Sequence, residues 1–108
     1  MKSLNNMEFV TESLTGLSGW IEAIDDAKTF EKAKEKAAAA LGYIDCMITY
    51  LNCMIDEENN EFTAELDEIL DNWTARVYQH IANKAVTTGQ APDTVMALLK
   101  KRDSYMHM

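Results

Sequence analysis

Residues 29–56 read TFEKAKEKAAAALGYIDCMITYLNCMID, and this stretch decides the fold. Apolar side chains at Phe30, Ala33, Ala37, Ala40, Ile44, Met47, Leu51 and Met54 recur every three or four residues, the period of a helix that buries one face. Thr29 stands just before the run, where a hydroxyl can accept the backbone N–H groups that a helix start leaves unpaired. From Leu41 to Ile55 the apolar surface widens, interrupted only by Gly42, Asp45, Thr49 and Asn52 along one narrow spine. A helix apolar on all sides but one is either the central helix of a bundle or part of an interface. On the second reading, Tyr43, Cys46, Tyr50 and Cys53 form a flank on which two copies would pair.

The helical period extends in both directions from this segment. Upstream, Met7, Val10, Leu14, Leu17, Ile21 and Ile24 form a seam spaced 3, 4, 3, 4 and 3, entered by a capping box of Asn5 and Glu8. Downstream, Glu57-Glu58-Asn59-Asn60-Glu61 marks a turn, after which Phe62, Leu66, Ile69, Trp73, Val77, His80/Ile81 and Lys84/Ala85 predict a third core face. Gly89 follows as a left-handed terminator. Pro92 and Asp93 open a short fourth helix with Val95, Met96, Leu98 and Leu99, closing on Lys100-Lys101-Arg102. The expectation is a single all-α domain over 1–108, with helices at about 6–26, 29–58, 60–87 and 92–104. Short turns favour antiparallel neighbours, hence an antiparallel four-helix bundle with a long helix 2–helix 3 hairpin and a shorter fourth helix.

A chain of 108 residues with 26 % charged and 47 % hydrophobic residues has an ordinary globular composition. No window approaches the ~18–20 unbroken apolar residues that cross a bilayer, so no membrane partner is expected. The start, MKSLNNME, lacks the apolar core of a signal peptide. Cys46 and Cys53 are seven residues apart, or ~10 Å along a helix, too far to bond each other. Two free thiols fit a reducing compartment, and the expected location is cytoplasmic.

The net charge of −8 opposes direct binding to nucleic acid, which needs a basic face. Its distribution is more informative. Between Lys36 and Arg76 there is no Lys or Arg, while Asp45, Asp56, Glu57, Glu58, Glu61, Glu65, Asp67, Glu68 and Asp71 give that block −9. The rest of the chain is left at +1 of the total −8. On an exposed helix face, opposite charges at i, i+4 are the stabilising choice, and this block offers none. Asp56 and Glu57 also fall at the C-terminal end of the second helix, where negative charge opposes the helix dipole. Self-repulsion of this kind points to an external cation, either a basic protein surface or a metal.

For the metal, Glu57-Glu58-x-x-Glu61 followed by Glu68-x-x-Asp71 resembles the paired EExxE and ExxD motifs of MazG-type all-α nucleoside triphosphate pyrophosphohydrolases. The resemblance implies Mg²⁺ held between two helices, clamping the substrate phosphates. It spans about 15 of 108 residues, and the chain departs from the pattern. Only six residues separate Glu61 from Glu68, both fall on one expected helix, and EExxE straddles a turn. Carboxylates on one rod do not converge on the octahedral shell that Mg²⁺ requires. No metal or cofactor is therefore expected. Nor is there a Glu-x-x-His pair, a glycine-rich phosphate loop, or a His or cation within helical reach of either cysteine.

The expected function is that of a small acidic, non-catalytic protein–protein interaction module, of inhibitor, immunity/antitoxin or chaperone type. It docks a basic partner through Asp56, Glu57, Glu58, Glu61, Glu65 and Glu68. The alternatives are a structural or regulatory homodimer built on helix 2 and the Mg²⁺-dependent hydrolase.

Overall fold

The computed structural model describes residues 6–54 and 60–106, and the side chains of all of these except 6–11, 13, 50–54 and 60–66. Four helices follow in order: α1 (Asn6–Asp26), α2 (Phe30–Met54), α3 (Asn60–Thr87) and α4 (Pro92–Ser104). They form an antiparallel all-α four-helix bundle in which α4 is the short member, with no strand among the described residues. The directions follow from cross-helix contacts. Lys36 of α2 lies over the Trp20 ring of α1, and the α2 residue Tyr43 meets α1 at Gly16, so later residues of one pair with earlier residues of the other. Tyr105 stacks on Tyr78, and Arg102 donates to Gln79, which sets α4 antiparallel to α3. Asp25 meets His80, so α1 and α3 run the same way.

The helix ends match their local chemistry. Thr29 Oγ1 accepts the Lys32 N–H at 3.1 Å, the N-cap that the sequence calls for. At the far end of α3, Gly89 adopts φ +76°, while Gln90 N–H donates to Ala85 O at 2.9 Å and Gly89 N–H to Val86 O at 3.1 Å. This pair of bonds is a Schellman ending, and a residue with a Cβ is strained in the left-handed position it requires. Pro92 then starts α4 without a side-chain cap, because its missing N–H removes one of the groups needing a partner. The expected capping box at Asn5 and the expected end of helix 2 at residue 58 lie outside the described residues.

The core is built by α1, α2 and α3. Leu17, Ile21 and Ile24 of α1 meet Phe30, Ala33, Ala37, Ala40, Ile44 and Met47 of α2, and Leu70, Val77, Ile81 and Ala85 of α3. Each of these α1 and α2 residues is one the periodicity places inward. The alanines of α2 are small, which lets the helix axes approach while the branched side chains of α1 fill the space between them.

Two expectations are corrected. On α3 the expected seam holds at Val77, Ile81 and Ala85, which are buried, but shifts by about one residue in the turns before them. Ile69 is 38 % exposed and Trp73 half-buried, whereas Leu70 and Thr74 are buried. The reason is that α3 is covered on two sides, by α1 and α2 through Leu70, Val77 and Ile81, and by α4 on another side. Two covered sides do not leave a single stripe to read. It follows that α3, not α2, is the central helix. No Cα of α4 comes within 8 Å of α1 or α2 among the described residues, while α3 neighbours all three other helices. The molecule is accordingly flat, 50 × 30 × 16 Å, with a radius of gyration of 15.3 Å against about 13 Å for a compact chain of this length.

Candidate functional site

The acidic residues singled out by the sequence divide into three groups. Asp56, Glu57 and Glu58 lie outside the described residues. Glu61 and Glu65 belong to the first turns of α3, and their side chains lie outside the described set. Glu68 is exposed on α3, as are its neighbour Asp67 and, on α2, Asp45. Because Tyr105, at the end of α4, stacks on Tyr78, α4 returns only as far as the middle of α3. It therefore does not accompany the acidic first half of that helix.

Of the flank residues on α2, Cys46 is an exposed free thiol. Tyr43 is half-buried against α1, and a Cβ added at Gly16 would stand 2.8 Å from its hydroxyl oxygen. A side chain at Gly16 would have to displace the hydroxyl end of Tyr43 where it lies on α1. Tyr50 and Cys53 belong to α2, with side chains outside the described residues.

The structure also assembles a cluster that the sequence reading does not join. At the end of α1, Asp25 faces His80 of α3, with the two carboxylate oxygens 2.8 and 3.0 Å from His80 Nδ1. Lys84, one turn further along α3, donates to the Asp25 carbonyl oxygen at 2.6 Å. Both side chains of the pair reach solvent, so the link is a partly screened one. Beside it, Glu22, Trp73 and Arg76 complete a shallow groove of about 210 Å³, with the Arg76 guanidinium 4.8 Å from the centre of the Trp73 ring. The sequence puts His80 beside Ile81 on the third core face, and His80 stands half-buried at the edge of that face. The signal for its partner is the acid at the C-terminal end of α1, which needs a cation to offset the helix dipole; three of α3's residues there, 76, 80 and 84, supply basic side chains at i, i+4 spacing.

On the other side of α3, Tyr78 and Tyr105 stack with ring centres 6.0 Å apart and planes 11° from parallel. Burial first, and then the neighbouring Tyr105 and Asp45, push the Tyr78 phenol above its ordinary value. A second, larger hollow of about 790 Å³ opens where the start of α2 faces the α3–α4 turn, with Lys28, Lys34, Thr88 and Thr94 on its walls. The Thr88 hydroxyl is already engaged, donating to Lys84 O at 2.7 Å.

No described helix is long and apolar enough to cross a membrane. Comparison of the chain with protein-family models, with curated proteins and with solved structures gives no match.

Proposed function

We propose that this chain is a small acidic, non-catalytic interaction module that docks a basic protein partner through the acidic end of the α2–α3 hairpin. The observation that carries the reading is the segregation of charge. The 39 residues from 37 to 75 contain nine carboxylates and no Lys or Arg, while the rest of the chain is near neutral. Repulsion within such a block costs folding stability, and a basic surface that neutralises it gains both attraction and a faster encounter. The exposure of Asp67 and Glu68, on the half of α3 that α4 does not reach, supports this placement. The contacts we assign are Asp56, Glu57, Glu58, Glu61, Glu65 and Glu68. An inhibitor, an immunity or antitoxin protein, or an assembly chaperone would each use such a surface. The exposed thiol of Cys46 suits a reducing, cytoplasmic setting.

The test compares the chain with its Glu57→Lys/Glu58→Lys/Glu61→Lys variant as bait in host lysate, with elution by a salt step. A basic protein released by salt from the wild type, and missing from the folded variant, supports the proposal. Equal recovery by both baits, with the same salt dependence, refutes it.

A further inference from the structure

The outer face of α4 carries a pattern that neither the core nor the acidic hairpin uses. Helix α4 packs against α3 alone, and none of its residues is buried. Asp93, Met96, Ala97 and Lys100 are all exposed. Their spacing of 3, 1 and 3 places them on one stripe of the helix. Met96 is 57 % exposed, and Val86 and Met106, at 62 % and 47 %, add further uncovered apolar side chains to the α3–α4 pair. The stripe is acidic at its N-terminal end, apolar and small in the middle, and basic at its C-terminal end.

Such a sequence complements itself when reversed. Turned about a twofold axis between Met96 and Ala97, Asp93 of one copy comes level with Lys100 of the other, and Lys100 with Asp93. Met96 then faces the small Ala97 across the axis, so the bulky side chain meets a position with room for it. Lys101 comes level with the uncharged Pro92, and Asp103 with Gln90, so no like charges are opposed. The helix dipoles are antiparallel, which is the favourable arrangement. We propose that the outer face of α4 is an isologous contact surface on which a second copy of this chain docks antiparallel, through paired Asp93–Lys100 bridges around a Met96–Ala97 centre.

The helix is 13 residues long, about 20 Å, so the contact lies well below the ~1,600 Å² of a standard interface. Association is therefore weak and concentration-dependent. It rests on α4 alone and is independent of the acidic hairpin.

The test is sedimentation equilibrium of the full chain from about 10 µM to about 1 mM, in reductant so that the exposed Cys46 cannot cross-link copies. The wild type should move from monomer toward dimer across this range. Asp93→Lys and Lys100→Asp should each weaken the dimer at least about tenfold, because each sets like charges opposite one another. An equimolar mixture of these two variants should restore it, while circular dichroism shows each variant folded. In the mixed dimer the introduced lysine meets the introduced aspartate at one end, and the remaining Lys100 and Asp93 meet at the other. A wild type monomeric throughout overturns the proposal. So does a dimer that either single variant leaves unchanged, or two folded variants whose mixture fails to associate.

Discussion

Helices α2 and α4 both lie against α3, yet they are held there by different means. From its first turn to Met47, α2 places a residue in the core at every three or four positions, and Ala33, Ala40, Ile44 and Met47 are almost wholly removed from water. Helix α4 buries no residue; Val95 and Leu98 are only partly covered where they reach the core. Its polar attachments are the Arg102 guanidinium on Gln79 and the Tyr78–Tyr105 stack, both near its end. Apolar burial stabilises by ~25 cal/mol per Å², so the same helix-on-helix geometry gives α2 a structural role and leaves α4 a thin attached layer. The enclosed core belongs to α1, α2 and α3, and the outer residues of α4 stand in water.

The largest expected effect tests that division directly. Leu70→Ala, at a side chain fully enclosed between α1, α2 and α3, should cost about 2–5 kcal/mol, as lost transfer energy plus a cavity. Leu98→Ala on half-covered α4 should cost about 1 kcal/mol, with no cavity left behind. Urea unfolding measures both, and equal losses would break the comparison.

The joint between α3 and α4 comes next. Gly89→Ala forces a Cβ into φ +76° and should cost about 1–2 kcal/mol. Nothing lies within 4 Å of the added carbon, so strain and not collision is responsible. If the loss is confined to the joint, hydrogen exchange should quicken in α4 more than in α2.

A smaller effect belongs to the Asp25–His80 link. A double-mutant cycle with Asp25→Asn and His80→Gln should return a coupling of about 0.5 kcal/mol, as suits a pair in which both partners reach solvent. A coupling near zero would reduce the α1–α3 contact to its apolar part.

The smallest effect is one of slope. The Tyr78 phenol is raised from 10.0 by burial, Tyr105 and Asp45. A group raised in the folded state makes its full contribution below its unfolded value and loses it as pH rises through the folded one. Stability should therefore fall more steeply above about pH 10 in the wild type than in Tyr78→Phe. Parallel curves would mean that folding does not raise the Tyr78 phenol.

These expectations differ in how directly they could be read from the chain. The seams of α1 and α2 are legible because each helix faces the core with one stripe, so Leu17, Ile21 and Ile24, and the run from Phe30 to Met47, repeat with a single phase. The α3 seam is legible only in part: Val77, Ile81 and Ala85 keep the expected phase, but Leu70 takes the core place expected of Ile69, and Tyr78 and Gln79 meet Tyr105 and Arg102 on another side. The two phases superpose, and Ile69, an apolar residue at the expected position, ends up 38 % exposed. Of the six acidic residues proposed as contacts, Glu68 is the one whose side chain is described, and it stands in solvent, as the run of carboxylates without Lys or Arg leads one to expect. The pairing of Asp25 with His80 is hidden, since 55 positions separate them and only the parallel course of α1 and α3 brings them level.

Local chemistry, then, accounts for the number of helices, their ends at Thr29, Gly89 and Pro92, and the concentration of negative charge between Lys36 and Arg76. Each depends on neighbours a few residues apart, and those neighbours are written in order along the chain. Which helix is central, which side of α4 is left in water, and which acid meets which base depend on how whole helices are laid beside one another. That arrangement is set by the sum of many packing contacts between distant segments. No single window of the sequence contains that sum, which is why α2 could be read as a central helix or as an interface, whereas the packed molecule is flat and centred on α3.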